Sequence, residues 1–264
     1  MPKDPAAKII RNEEWGDYHL FRIESAAVTP GSQPGQFLMV RVNDSIYPLL
    51  RRPLSIHARE RTILEIFFKV TGQGTALLAQ RKEGQELDIL GPLGKGFAWD
   101  AGLKGQAVLL VGGGRGIAPL YFLAQELRAS GVRVKVLYGG RSLPDLALRQ
   151  KFEKSGLDVA CSTDDGTHGF RGVVTELLQE EIKKNIPAAL YACGPDPMMK
   201  KTAEIAGRKK IPAQFSLESM MGCGFGACWG CVKRIRKGDA GAWRKICEDG
   251  PVFSAEEIVW EEEN

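Results

Sequence analysis

The sequence has few histidines, no long apolar run and no strong excess of either charge. Its 264 residues include three histidines, so a catalytic zinc site built from histidines is not expected. No stretch approaches the roughly 18 apolar residues of a transmembrane helix, and the polar N-terminus lacks the apolar core of a secretory signal. Lysine and arginine total 36 against 32 aspartates and glutamates, a balance that disfavours a nucleic-acid surface. We therefore expect a cytoplasmic protein that binds neither nucleic acid nor membrane.

The chain is long enough for about two domains and a short additional segment. At about 150 residues per domain, 264 residues with 44% apolar side chains can bury a core in each. The hydrophobic pattern changes near residue 105 and again after residue 216. We predict a β-barrel domain over 1–104, an α/β domain over 105–216 and a cofactor-binding segment over 217–264.

The first region has the pattern of a β domain. Short β-branched runs at 37–42, 64–70 and 86–90 are separated by proline and glycine, which predicts strands. Strands at this spacing are typical of a small antiparallel barrel. One short helix is expected over 75–79, because its alanines and leucines favour helix and Thr75 can cap the first turn.

In the second region, apolar runs of strand length alternate with segments of helical periodicity. The expected strands are 107–111, 132–138, 157–160 and 188–192, and the expected helices are 117–129, 173–183 and 197–207. Alternation of this kind predicts a doubly wound parallel sheet with helices on both faces.

Four of the six cysteines form a spaced motif near the C-terminus. Cys223, Cys228 and Cys231 follow a C-x4-C-x2-C pattern, and Cys247 comes after a longer interval. This is the plant-type ferredoxin spacing, so we predict that the four thiolates ligate a [2Fe-2S] cluster. Glycine accepts positive φ without penalty, so nearby glycines would let the loop turn tightly and point N–H groups at sulfur. These glycines are Gly222, Gly224, Gly226 and Gly230.

A structural zinc site is the alternative, since four cysteines can also hold zinc tetrahedrally. Zinc motifs usually pair their cysteines as two short hooks, whereas three clustered ligands and one distant ligand are the ferredoxin arrangement. The spacing therefore favours iron–sulfur over zinc. The remaining cysteines, Cys161 and Cys193, lie at the ends of expected strands, and we interpret Cys161 as a small core residue.

Two short motifs in the first region are suited to phosphate. Arg52-Pro53-Leu54-Ser55, expected to close a barrel strand, offers a guanidinium and a hydroxyl. Gly72-Gln73-Gly74-Thr75 is expected at the start of the short helix, where free amides attract an anion. Taken alone, an Arg-Pro pair at a strand end is more typical of a surface turn.

Two strand-to-helix turns in the second region are rich in glycine or proline. They are Gly112–Gly116 and Cys193-Gly194-Pro195. The first does not fit the G-x-G-x-x-G dinucleotide fingerprint, and no acidic residue ends the next strand, which disfavours a simple dehydrogenase. Each turn alone would equally fit tight strand–helix packing without a ligand.

Together and in this order, these motifs resemble those of the ferredoxin reductase superfamily. The resemblance implies a flavin-binding barrel followed by a nicotinamide-binding α/β domain, with no side chain acting as a strong acid or base. The residues that it implies for FAD are Arg52, Pro53, Leu54, Ser55, Lys69, Val70, Thr71, Gly74 and Thr75. The residues expected for NAD are Gly113, Gly114, Cys193, Gly194 and Pro195.

With the segment from Glu218 to Cys231 included, the chain resembles the electron-transfer subunits of type B dihydroorotate dehydrogenases. This implies an FMN-containing dihydroorotate dehydrogenase catalytic subunit as partner, in a heterotetramer that serves pyrimidine biosynthesis. Electrons would pass from the partner through the cluster and FAD to NAD+. A flavin is needed because the cluster carries single electrons whereas nicotinamide accepts a hydride.

Two alternatives to this function remain open. The small subunits of NAD(P)H–ferredoxin or sulfur oxidoreductases resemble the chain over its length, but they commonly carry aspartate where this chain has Cys223. The other alternative is a zinc-stabilised interaction module, which would bind neither flavin nor iron.

Two further features bear on ligands and partners. Arg115 stands in the glycine turn where the family usually has an aliphatic residue. Its guanidinium could contact a dinucleotide phosphate or be solvated, so the choice between NAD and NADP stays open. Four apolar residues near the cysteines are candidate partner contacts, or alternatively they pack over the cluster. They are Met220, Met221, Phe225 and Trp229.

Overall fold

The computed structural model describes residues 1–43, 45–237 and 240–260. The strands are β1 (Lys3–Trp15), β2 (Tyr18–Glu24), β3 (Phe37–Val40), β4 (Arg52–Glu60), β5 (Ile63–Lys69), β6 (Glu86–Leu93), β7 (Ala107–Gly113), β8 (Arg133–Gly140), β9 (Asp158–Thr163), β10 (Phe170–Arg171), β11 (Ala189–Cys193), β12 (Ala213–Ser216), β13 (Val232–Lys237), β14 (Ala240–Lys245) and β15 (Val252–Ser254). The helices are α1 (Gln73–Ala79), α2 (Ala118–Ala129), α3 (Arg149–Lys154), α4 (Val174–Lys184), α5 (Asp196–Lys209) and α6 (Ile246–Asp249). In these ranges, no helix is both long and apolar enough to cross a bilayer.

Strands β1 to β6 form a closed antiparallel barrel, which confirms the prediction. They are hydrogen-bonded in the order β1–β2–β5–β4–β3–β6, and β1 pairs with β6 to close the ring. Alternate side chains point inward, so Phe21, Leu38 and Ile66 are fully buried in the barrel core. β1 is not predicted from the sequence, because only Ala7 and Ile9 of its 13 residues are buried.

The second sheet is doubly wound, as predicted. Its central strands are parallel and lie in the order β9–β8–β7–β11–β12, with β10 at one edge and β15 added antiparallel at the other. Successive residues of β7 face opposite sides, so Leu110 belongs to the core formed with α2 and α3, and Leu109 to the core formed with α4 and α5. The strand order reverses between β7 and β11, and ligands of such sheets bind at the carboxyl ends of the strands at this point.

Helix α1 begins at Gln73, slightly before the predicted start, and Gly72 precedes it. Thr75 therefore lies within the first turn, so its prediction as the cap is wrong. Its hydroxyl oxygen instead accepts hydrogen bonds from the backbone N–H groups of Thr71 at 2.9 Å and Gly72 at 3.3 Å. These bonds fold the preceding segment back against the helix start.

The C-terminal segment contains more regular structure than the sequence predicts. β13 and β14 form an antiparallel hairpin, α6 carries Cys247, and β15 extends the second sheet by pairing with β12. The cysteine-bearing segment is thus joined to the α/β sheet by backbone hydrogen bonds.

The limits 1–104, 105–216 and 217–264 stay predictions. The last barrel strand ends at Leu93, β7 begins at Ala107 and β12 ends at Ser216. Residues 261–264, the end of the third predicted region, lie outside the described residues.

A buried histidine joins the barrel to the start of α2. His57 of β4 is fully buried, and its Nδ1–H donates to the Ala118 carbonyl at 2.7 Å. Burial, with a smaller contribution from Lys151, lowers the pKa of His57 to about 3, so the imidazole is neutral. Its ring stacks on Tyr121 with centroids 4.8 Å apart. The neutral ring and its one hydrogen bond fix the barrel against the helix that follows the glycine turn.

Candidate functional site

Most of the predicted FAD residues line one cleft between the barrel, the second sheet and the segment leading to the cysteines. We call it the barrel cleft. The sheet side contributes Ala118, Cys193 and Ser216, and the cysteine-bearing segment contributes Glu218 and Met221. The predicted FAD residues that line it are Arg52, Pro53, Leu54, Ser55, Lys69, Thr71 and Thr75. The structure therefore brings together residues from three separate stretches of the barrel sequence.

The remaining two predicted FAD residues, Gly74 and Val70, do not line the barrel cleft. Gly74 lines an adjoining cleft that shares Arg52, Thr71 and Thr75 with the barrel cleft. Val70 lines neither cleft, and its backbone N–H donates to the Asp17 carbonyl at 2.8 Å.

The Arg52–Ser55 motif opens β4 and does not close a strand, so that part of the prediction is wrong. The structure also separates the two adjacent arginines at this point. Arg51 turns into the barrel wall, where it donates to the Asp88 carboxylate at 2.6 Å and to the Asp88 carbonyl at 2.8 Å. Arg52 lies against Gly74, where a Cβ atom would collide with the guanidinium. Glycine at position 74 therefore allows Arg52 to reach the start of α1.

The donor set of these adjoining clefts fits FAD. One guanidinium and the hydroxyls of Ser55 and Thr71 can bind phosphate and ribose oxygens, while Pro53 and Leu54 supply apolar surface for a ring system. Arg52 would hold the pyrophosphate, because its planar fork matches phosphate oxygens.

Four of the five residues predicted for NAD line a second cleft at the carboxyl ends of β7 and β11. We call it the sheet cleft, and these residues are Gly113, Gly114, Gly194 and Pro195. The two turns also pack tightly on each other, because a Cβ at Gly113 would lie 2.7 Å from Met198 Sδ and 2.9 Å from Pro195 Cδ. Close packing and a ligand cleft therefore occur together at these turns.

Cys193, the fifth residue, lines the barrel cleft and not the sheet cleft, although it is adjacent in the chain to Gly194. Burial raises the pKa of the Cys193 thiol well above its ordinary value, so the thiol is protonated. Cys161 is also buried, which agrees with its interpretation as a core residue.

The sheet cleft contains a polar cluster that sequence reasoning missed. The Tyr18 hydroxyl donates to Asp145 Oδ1 at 2.8 Å, and Lys69 Nζ donates to the same oxygen at 3.3 Å. Burial opposes ionisation of Asp145, but these two hydrogen bonds outweigh it and lower the pKa of the carboxyl. Tyr18 and Lys69 belong to the barrel and Asp145 to the turn that follows β8 of the second sheet, so the cluster connects the two domains beside the cleft.

The four motif cysteines lie close enough to interact with one another. The Cys228 N–H donates to Cys223 Sγ at 3.4 Å, and these two side chains interact. The Cys247 side chain interacts with those of Cys231 and Cys223. Among the described residues, no three histidine, cysteine, aspartate or glutamate side chains surround a single point where one metal ion would sit. Four neighbouring thiols are the ligand set of a two-iron cluster, in which each iron takes two protein ligands.

Backbone N–H groups point at the sulfur atoms, as a cluster loop requires. Burial opposes ionisation of Cys223, but N–H groups of Phe225, Cys228 and Ala227 outweigh it and lower the pKa of this thiol to about 7. The Gly226 N–H donates to Cys247 Sγ at 3.2 Å. Hydrogen bonds of this kind stabilise thiolates and adjust the potential of a cluster that they hold.

Only two of the four predicted loop glycines have positive φ. Gly224 has φ +81° and Gly226 has φ +87°, whereas Gly222 and Gly230 do not adopt this conformation, so the prediction is wrong for those two. A Cβ at Gly224 would collide with the side chain of Met39 in β3. The cysteine loop therefore lies directly on the barrel wall.

Lys245 is a further residue of the cysteine loop that sequence reasoning missed. Its Nζ donates to the Gly226 carbonyl at 2.6 Å and lies 4.7 Å from the centroid of the Trp229 ring. The lysine thus ties β14 to the loop that carries the first three cysteines.

The four apolar residues near the cysteines divide into two groups. Met220 and Trp229 are 89% and 65% exposed, and Phe225 is also exposed. Met221 instead packs against the buried core and lines the barrel cleft. Met221 is therefore the residue of the four that packs inward, whereas the other three side chains face solvent.

Comparisons with known proteins agree with this arrangement. Residues 218–259 match the iron–sulfur cluster binding domain of dihydroorotate dehydrogenase B. Residues 110–204 match the oxidoreductase NAD-binding domain. The two matches cover the cysteine segment and the glycine turns respectively.

Curated relatives are similar over most of the chain. The dihydroorotate dehydrogenase B (NAD(+)) electron transfer subunit of Shouchella clausii is 44% identical over 90% of this chain and 90% of its own length. The protein of the same name from Desulforamulus reducens is 40% identical over 86% of this chain and 87% of its own.

Solved structures share the fold. A structure of NADH-dependent reduced ferredoxin–NADP oxidoreductase, from work on flavin-based electron bifurcation, superposes with a TM-score of 0.85 at 29% identity, over 97% of this chain and 91% of that chain. A ferredoxin NADP+ reductase from Neisseria gonorrhoeae with bound FAD and NADP has a TM-score of 0.65 at 18% identity, over 78% of this chain and 91% of that chain.

Replacing Gly224 with alanine should lower the amount of cluster that the protein retains. The left-handed conformation costs a non-glycine residue about 1–2 kcal/mol, and the added Cβ collides with Met39. Iron per chain and visible absorbance after anaerobic purification measure the effect. Gly230→Ala is the matched control, because its Cβ would lie 3.7 Å from Cys228 Sγ in ordinary contact. Equal iron content in the two variants would contradict this reading of the loop.

Proposed function

The chain belongs to the family of dihydroorotate dehydrogenase B (NAD(+)) electron transfer subunits, and from this premise we propose how its residues serve electron transfer to NAD+. The observation that supports the proposal is the order of the three sites. The cysteine loop touches the barrel at Met39 and continues into the barrel cleft at Met221. The barrel cleft in turn shares Lys69, Arg115 and Glu218 with the sheet cleft.

In this proposal each site has its own residues. Cys223, Cys228, Cys231 and Cys247 ligate the [2Fe-2S] cluster. FAD is held by the residues that line the two adjoining clefts, and Val70 joins two of them, Lys69 and Thr71, in the chain. These cleft residues are Arg52, Pro53, Leu54, Ser55, Lys69, Thr71, Gly74 and Thr75. NAD is held by Gly113, Gly114, Gly194 and Pro195, with Cys193 facing the flavin side.

When bound, the cluster supplies single-electron transfer, and FAD links single electrons to the hydride that NAD+ accepts. The chain's own residues bind and orient these groups. Arg52 neutralises pyrophosphate charge, the N–H groups around Cys223 stabilise thiolate, and His57 and the Tyr18–Asp145 bond hold the barrel at a fixed position against the second sheet. Cys193, whose buried thiol is protonated, would contribute a small neutral side chain to the flavin side.

We further propose the partner that supplies the electrons. It is an FMN-containing dihydroorotate dehydrogenase catalytic subunit, and the complex is a heterotetramer in the cytoplasm, where free thiols persist. The partner would dock over the cysteine loop, where Met220, Phe225 and Trp229 expose apolar surface.

Reconstitution tests the function as a whole. The chain with FAD and cluster, mixed with the catalytic subunit, should reduce NAD+ when dihydroorotate is added, and either protein alone should not. Absorbance at the NADH band measures the reaction. If the chain instead oxidised NADH with ferredoxin as acceptor and gave no NADH from dihydroorotate, it would act as a ferredoxin-linked reductase and the proposal would be wrong.

Removing the exposed indole should weaken docking. Trp229→Ala should raise the dissociation constant for the catalytic subunit at least about tenfold. Truncating a buried aromatic anchor commonly costs about 2 kcal/mol or more of binding free energy, and about 1.4 kcal/mol already corresponds to a factor of ten. Sedimentation or calorimetry with the partner measures it. Trp15→Ala, which removes a partly exposed indole from β1, is the control and should bind normally. Equal affinity of the Trp229 variant and wild type would exclude this surface.

A further inference from the structure

The passage between the barrel cleft and the sheet cleft is lined by charged side chains from three parts of the fold. Lys69 comes from β5, Arg115 from the glycine turn after β7, and Glu218 from the segment before the cysteines. These three residues line both clefts. In the proposed function, these residues therefore lie where a nicotinamide ring in the sheet cleft would approach a flavin in the barrel cleft.

The two cations of the passage are held very differently. Lys69 bonds to Asp145 and lies over the Tyr18 ring, 4.7 Å from its centroid, and the Asp145 carboxylate is mostly buried. Among the residues that the structure describes, Arg115 forms one ion pair, with its Nη2 3.3 Å from Glu218 Oε2, and the two side chains are 53% and 50% exposed. Exposed single ion pairs contribute little free energy, about 0–1 kcal/mol. Arg115 is therefore the cation that can change its partner at low cost.

Arg115 also stands next to the turn that would receive a dinucleotide. Gly113 and Gly114 line the sheet cleft, and no heavy atom outside the adjacent residues 113 and 115 lies within 4 Å of the place where a Cβ of Gly114 would be. A pyrophosphate over this open turn would lie beside the Arg115 side chain. Guanidinium–phosphate hydrogen bonds are charge-assisted and can be bidentate, which makes them stronger than a solvent-exposed pair with one carboxylate.

We propose that Arg115 is a nucleotide-responsive latch. Without nucleotide, it pairs with Glu218 across the passage. When the pyrophosphate of a nicotinamide dinucleotide binds at the glycine turn, the guanidinium transfers to it and leaves Glu218, which opens the passage to the nicotinamide ring. This inference rests on the proposed nucleotide site, and it assigns to Arg115 a role in binding that couples the two clefts.

ADP-ribose is the probe that tests the latch, because it carries the pyrophosphate but no nicotinamide. Its dissociation constant is measured by calorimetry on the FAD- and cluster-loaded chain. Arg115→Leu should weaken binding about tenfold, because a charge-assisted contact is lost. Glu218→Gln should tighten binding about two- to fivefold, because Arg115 no longer has a competing carboxylate. The control is Arg149→Leu, which removes the same charge from an Arg–Glu pair on α3 that lines neither cleft.

Opposite effects of the two variants distinguish the latch from a purely structural ion pair, which would make both variants bind worse or leave both unchanged. Unchanged affinity in Arg115→Leu, or weakened affinity in Glu218→Gln, overturns the latch. FAD and iron content of each variant shows whether the fold is intact. If the wild-type chain does not bind ADP-ribose, the proposed nucleotide site is wrong. If the wild-type chain binds ADP-ribose but the two substitutions leave its affinity unchanged, the latch alone is wrong.

Discussion

The contact of the cysteine loop with the barrel wall is the constraint on which the remaining arrangement depends. Gly224 takes a left-handed conformation with no room for a side chain against Met39. Met39 belongs to β3, which pairs with the β4 strand that opens on Arg52. A cluster that exchanges single electrons with a flavin has to lie close to it, and this contact places the loop against the strand pair that forms the barrel cleft.

The position of the barrel against the second sheet is fixed by polar contacts between groups that cannot easily be hydrated. Neutral His57 donates to the start of α2, and the Tyr18 hydroxyl binds the Asp145 carboxylate at the edge of the sheet cleft. Leaving either buried partner unsatisfied would cost about 1–3 kcal/mol. The two clefts therefore meet with a defined geometry, and the charged passage between them contains the solvent-exposed pair of Arg115 with Glu218.

Much of this was predictable because its signals are local. The ligand spacing from Cys223 to Cys231, the alternation of strands and helices, and the order of the glycine motifs are all short-range patterns, and the family comparisons confirm the fold and the function that they predict. The missed features depend on long-range contacts. Tyr18 and Asp145 are 127 residues apart and Arg115 and Glu218 are 103 apart, so no local pattern pairs them. Likewise, spacing alone does not separate Gly224 and Gly226, which need positive φ, from Gly222 and Gly230, which do not.

In the proposed function, the cluster, flavin and nicotinamide sites of this chain exchange electrons with one another. Anaerobic addition of excess NADH to the isolated, fully loaded chain tests it most directly, with flavin absorbance and low-temperature electron paramagnetic resonance as readouts. In wild type, the flavin should bleach and the signal of a reduced two-iron cluster should appear, whereas in Cys228→Ser the flavin should bleach without that signal. A wild-type cluster that stays oxidised while the flavin is fully reduced would contradict the account.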